Sequence, residues 1–185
     1  MESIFLSGKK ELDIYVNPQR QKLLRCMRVA GVPLTPKQIA GRIGVSASSV
    51  QHHLGRLMEI GLVALSHTEK IHGITAKYYR ILPKEVRIGG FARDEHREER
   101  FALLQAALSQ VFQGFSDYCQ KQPANGPVTG QFGDMLSGII RLSNEEAGEL
   151  YAVIRGFLSE HEREGSRGEA WEYALIAYPV MKDHE

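Results

Sequence analysis

The chain is poor in cysteine: its 185 residues hold only Cys26 and Cys119. So wide a separation makes neither a disulfide framework nor a paired-thiolate metal site, and it points to a reducing cytoplasm. Long apolar runs are missing too. No stretch approaches the roughly 18 consecutive apolar residues of a membrane-spanning helix, so no membrane partner is expected. The opening Met1-Glu2-Ser3-Ile4-Phe5-Leu6 carries an acid where a signal peptide wants a base. Marks of catalysis are equally sparse. There is no nucleophile elbow and no phosphate-binding loop, and Gly126, Gly130 and Gly133 have the wrong spacing for a dinucleotide loop. The seven histidines show no ligand spacing, and His161-Glu162 lacks the second histidine of a zinc-protease helix. No catalytic residue, metal or cofactor is expected. What remains is 43% hydrophobic and 24% charged, a mix that fills a core and excludes bulk disorder.

The formal charge of +1 conceals a division. Residues 1–90 hold 14 Lys and Arg against 6 Asp and Glu, a net +8, while residues 91–185 hold 9 against 16, a net −7. Aromatics divide the other way, with 11 of 15 beyond residue 90. A basic half joined to an acidic half suggests that one of them meets a polyanion. The acidic half has material for a core, a self-association surface or a ligand pocket.

Along the chain, residues 11–16 alternate polar and apolar like a short strand. Asn17-Pro18 then reads as a cap followed by proline at the first helical position, opening a helix to Ala30 with Leu23, Leu24, Met27 and Ala30 on one face and Gly31 as its stop. Thr35-Pro36-Lys37-Gln38 is a capping box; its helix buries Ile39, Ala40 and Ile43. Gly44-Val45-Ser46 interrupts it. Ser46 caps a third helix on which Val50, Leu54 and Leu57 recur at helical spacing, and Gly61 closes it. Residues 62–66 read as a strand, 67–76 as a hairpin tip centred on Gly73, and 77–82 as the returning strand, ended by Pro83.

Residues 34–82 therefore spell two helices joined by a tight turn, then a hairpin wing. Ala40 falls where the two helices cross. Opposite the apolar stripe, the third helix carries Ser48, Ser49, Gln51, His52, Gly55, Arg56 and Glu59. It is the kind of short, hydrogen-bonding face that can enter a major groove and read base edges. The candidate DNA-binding residues are Thr35, Ser46, Ser48, Ser49, Gln51, His52 and Arg56, joined on the wing by Lys70, His72 and Lys77, placed to meet phosphate. His53 falls nearer the buried side and reads as a packed, hydrogen-bonded histidine.

From Leu34-Thr35-Pro36-Lys37-Gln38-Ile39-Ala40 through Gly44-Val45-Ser46 and Val50-Gln51-His52-His53-Leu54 to Gly61-Leu62-Val63, the chain resembles the winged-helix core of ArsR-type transcriptional regulators. Ala76-Lys77-Tyr78-Tyr79-Arg80 is similar to their second wing strand. The likeness covers about residues 11–83; a looser one links Leu142–Ala147 and Ala174–Pro179 to the tail of some members. It implies a dimeric, DNA-binding, one-component regulator. The cysteine motif of the metal-sensing members is missing from residues 35–47, so metal sensing there is unsupported.

Beyond residues 84–93, which read as a linker, a long helix is expected over about 94–121. Phe101, Leu104, Leu108, Val111, Phe115 and Tyr118 form an a/d seam on it, read as a dimer interface, with packing within the chain as the alternative. Residues 122–138 read as loop. Ser143-Asn144-Glu145-Glu146 is a second capping box, opening a helix that buries Ala147, Leu150, Tyr151, Ile154, Phe157 and Leu158. Residues 162–170 are polar and loop-like, and Trp171–Tyr178 is a strand candidate stopped by Pro179. Phe115, Tyr118, Tyr151, Phe157, Trp171 and Tyr173 suit an aromatic effector pocket, though an ordinary core would use the same residues.

The fold class expected is α+β and mainly α: a winged helix-turn-helix over residues 1–83, then a helical dimerisation or effector region over 94–185 with one or two short strands. The function expected is a cytoplasmic, homodimeric, sequence-specific regulator on double-stranded DNA, with helix 46–60 in the major groove and wing 67–77 on the backbone, open to a small-molecule effector. A winged-helix module for protein or RNA is the alternative.

Overall fold

The computed structural model describes residues 2–6, 8–71, 73–88, 95–121, 135–161 and 168–180. In chain order the elements are β1 (Glu2–Phe5), α1 (Lys9–Val16), α2 (Pro18–Ala30), α3 (Pro36–Ile43), α4 (Ala47–Glu59), β2 (Val63–Ile71), β3 (Ile74–Ile81), β4 (Lys84–Arg87), α5 (Arg97–Lys121) and α6 (Asn144–His161). None of these helices is long and apolar enough to cross a membrane.

The three central helices start and stop where their caps dictate. Asn17 accepts from the backbone N–H groups of Gln19 and Arg20, and Gly31 ends α2 in the left-handed region. The capping box of α3 is complete in both directions, with Gly44 at φ 72° in the turn that follows. Ser46 accepts from the N–H of Ser49 to open α4. Leu23, Leu24 and Met27 of α2, Ile39 and Ala40 of α3, and Val50, Leu54 and Leu57 of α4 are all buried in one core, completed by Leu34, Leu62, Val63 and Tyr79. Ala30, Ile43 and Cys26 pack on its edge.

The hairpin is antiparallel, with Val63 opposite Ile81 and Ile71 opposite Ile74, and a bulge between Leu65 and His67. Its strands run further out than the sequence suggests. Residues 67–71 and 74–76, expected as tip, are strand, and Gly73 (φ 82°) sits in the turn. The reason is pairing: once Val63 and Tyr79 are anchored in the core, each further residue completes a cross-strand bond at little cost. Leu34 adds a third short rung, exchanging both backbone hydrogen bonds with Tyr79 at 2.9 Å.

Four expectations are corrected. Residues 11–16 belong to helix α1, not a strand. Leu12, Ile14 and Tyr15 are all buried, which strand alternation forbids but a helix wedged against α2, α4 and α5 allows. The expected linker contains β4, which pairs in parallel with β1, Glu2 opposite Lys84 and Phe5 opposite Arg87. Parallel pairing needs a long crossover, and the whole helix-turn-helix and wing supply it. Trp171–Tyr178 is not a strand: among the described residues no strand lies beside it to complete a ladder, and its side chains are exposed. Helix α6 begins at the expected box, with Ser143 and Glu146 each accepting the other's N–H at 3.2 and 2.7 Å, but it buries nothing fully. Ala147, Leu150, Tyr151, Ile154 and Leu158 are half-buried and Phe157 is exposed, because no other described helix or strand packs against α6.

Candidate nucleic-acid interface

The buried stripe of α4 sets the orientation of everything opposite it. With Val50, Leu54 and Leu57 inside, Ser48, Gln51, His52 and Gly55 stand exposed on the other side. Gln51 and His52 carry both donors and acceptors suited to base edges. Ser46 is exposed but occupied: its hydroxyl caps Ser49 at 3.2 Å and lies 3.0 Å from that of Ser48. Ser49 is half-buried. Thr35 is half-buried too, and its hydroxyl donates to Gln38 Oε1 at 3.1 Å while accepting from the Gln38 N–H. Its one proton is therefore spent on the cap.

Arg56 is placed at the far end of the face and is held by its own helix. Its Nη1 donates to both oxygens of Glu59 at 2.9 Å, and Glu59 also receives Lys10 of α1 at 3.2 Å. The hydrogen bond from Lys10, then that from Arg56, keeps the Glu59 carboxyl below its ordinary range.

On the wing, Lys70 opposes Thr75 and Lys77 opposes Thr68. Cross-strand partners share a face, and so do residues two apart, so both lysines project from one side. The other side carries Glu69, with His67 and Tyr78 stacked at 4.5 Å. Both lysines are exposed. His72 lies outside the described residues.

The sequence reading missed Arg20. It is buried at 9% exposure, donates through Nη2 to the Asp13 carbonyl at 2.9 Å and through Nε to the Ile14 carbonyl, and lies 3.5 Å from His53 Nδ1. A guanidinium only donates, so Nδ1 is the bare nitrogen of a neutral His53. Burial, then the Arg20 charge, then His52 push the His53 pKa down. One side chain thus ties the end of α1 to α2 and to α4. The signal was present: Arg20 falls in the α2 apolar stripe, three and four residues before Leu23 and Leu24.

Residues 16–64 match a family described as winged helix-turn-helix DNA-binding. The N-terminal half of the chain is a winged helix-turn-helix. No curated protein matches the chain. Among solved structures it is similar to the adhesin competence repressor (AdcR) from Streptococcus pyogenes, at 13% identity over 82% of this chain and 84% of that one, with a TM-score of 0.33. A superposition that loose carries neither function nor assembly across. The matched winged-helix segment contains α2, α3, α4 and the start of β2, and with them every candidate contact except those on the wing.

Proposed function

We propose that the chain is a cytoplasmic, sequence-specific transcription regulator of ArsR type that binds double-stranded DNA as a homodimer and answers to a small-molecule effector. The observation that carries the reading is the α4 face: a stripe of exposed hydrogen-bonding side chains held rigid by a fully buried opposite stripe, within a domain of DNA-binding type. Gln51 and His52 read bases, Ser48 and Ser49 approach the adjoining backbone, and Arg56, Lys70 and Lys77 neutralise phosphate. The α5 seam supports the dimer. Phe101, Leu104, Leu108 and Tyr118 are exposed in the single chain, while Leu103, off the seam, is the residue that joins the core. Two copies on a two-fold axis would set their recognition helices on half-sites about 34–36 Å apart.

Fluorescence anisotropy with duplex from the promoter region of the protein's own gene tests the reading. Specific affinity should exceed that for random duplex at physiological salt. Gln51→Ala should cost about 1–3 kcal/mol on the specific site alone and relax preference at one base position. An unchanged ratio of specific to random binding would put some other surface in the groove. Binding with a flat salt dependence would favour the protein-interaction module instead, since phosphate neutralisation requires a steep slope.

A further inference from the structure

A groove of about 340 Å³ runs between α2 and α3, lined by Lys22, Arg25, Cys26 and Val29 from one helix and Arg42 and Ile43 from the other. Three cations there meet three apolar or weakly polar side chains. One cation is already engaged in an informative way. Arg25 grips the carboxylate of Glu172 as a fork, Nε to Oε1 and Nη2 to Oε2, both at 2.9 Å. Gln110 of α5 donates to the same Oε1 at 3.3 Å. A Cβ on Gly114 would stand 2.9 Å from Oε2, so the missing side chain leaves the notch in which the carboxylate sits. Lys22 and Arg42 have no ion-pair partner among the described residues.

We propose that a small aliphatic carboxylate takes the Arg25 fork in place of Glu172, which holds that fork from the α5 side, and lays its body in this groove. The guanidinium fork matches carboxylate geometry, and the chain's own carboxylate demonstrates the fit. The two remaining cations keep the groove attractive to an anion. Val29, Ile43 and the edge of Cys26 provide a surface for an aliphatic body, and no aromatic ring lines the groove. The resident pair is half-exposed, and such pairs are weak enough for a ligand to replace. Displacement frees a segment with consequences elsewhere, because residues 171–178 also touch α6, where Tyr151 Oη donates to the Ala177 carbonyl at 2.7 Å. A ligand carboxylate and Glu172 cannot both hold the Arg25 fork, so ligand binding and the placement of that segment are linked. The proposal stands independently of how α4 reads DNA.

Trp171, the only tryptophan, adjoins Glu172 and reports its release. The full chain, carrying Cys119→Ser, is titrated with hexanoate, and with hexanamide as the uncharged control. Hexanoate should give a saturable change in tryptophan emission and slow maleimide labelling of Cys26; hexanamide should do neither. Glu172→Gln, which removes the competitor, should tighten hexanoate binding about fivefold. Arg25→Ala and Arg25→Lys should weaken it roughly tenfold or more, since neither retains the fork, with circular dichroism verifying the fold. Absence of saturation, equal binding of hexanamide, or looser binding by Glu172→Gln would each overturn the proposal. So would random duplex that displaces hexanoate and loses affinity in Arg25→Ala, which would make the groove a phosphate-backbone contact.

Discussion

Arg20 and Glu59 are single charged side chains that fix the surroundings of α4. Arg20 is buried where its guanidinium satisfies carbonyls at the end of α1, and the neutral imidazole of His53 is the only form that accommodates it. The folded-state pKa of His53 is lowered from its ordinary value, so the unfolded chain binds that proton more readily. The associated stability is therefore complete above the unfolded pKa near 6.5 and is lost as pH falls through the lower folded value. Arg20 and His52 flank the ring, and both disfavour its protonation. Urea unfolding of wild type and His53→Gln between pH 7.5 and 5 should show a steeper loss in the wild type. Glu59 bears on the proposed DNA contact. It occupies both Arg56 and Lys10, cations otherwise available to phosphate. Glu59→Gln should raise affinity for specific and random duplex alike and steepen the salt slope by about one unit, read by anisotropy across a salt series.

At the scale of elements, cap chemistry and periodicity predicted the helices that have one polar and one apolar face. The Thr35 and Ser143 boxes and the Asn17, Ser46, Gly31 and Gly44 ends all stand where the residues place them. Alternation misled where an element buries more than one face, as α1 does, and the linker reading failed where a strand's partner is remote, as β4's is. Ala40 is buried where α3 packs on α4, two helices whose angle sets the presentation of Gln51. Ala40→Leu should overfill that crossing and destabilise the fold by about 1–3 kcal/mol, measured by denaturant unfolding. Specific DNA binding should fall further than random binding in the same variant, because misaimed base contacts matter only to the former.

The whole molecule is uneven. Among the described residues, the first 88 and the start of α5 contain every buried side chain, while the acidic half leaves Leu108, Phe112, Val153, Phe157 and Trp171 exposed. The exposed seam residues of α5 are the surface on which the proposed dimer would form. Leu108→Lys, on the seam and away from the core, should leave thermal unfolding of the winged helix within about 0.5 kcal/mol. The same variant should shift sedimentation to the single-chain species and abolish operator binding while retaining weak binding to random duplex.

The amino-acid order by itself determined what depends on neighbours three or four residues apart: the capped helices, the tight turn, the buried stripe of α4 and therefore the exposed side of Gln51 and His52. Those outcomes follow from local hydrogen bonding and from the transfer of apolar side chains out of water, both of which operate within a few residues of chain. The tertiary structure alone decided the helical state of α1, the parallel pairing of β1 with β4, the burial of Arg20 against His53, and the seating of Glu172 on Arg25, 147 residues away in sequence. Each of these joins groups distant along the chain, and their energy exists only once folding has brought both partners to one place.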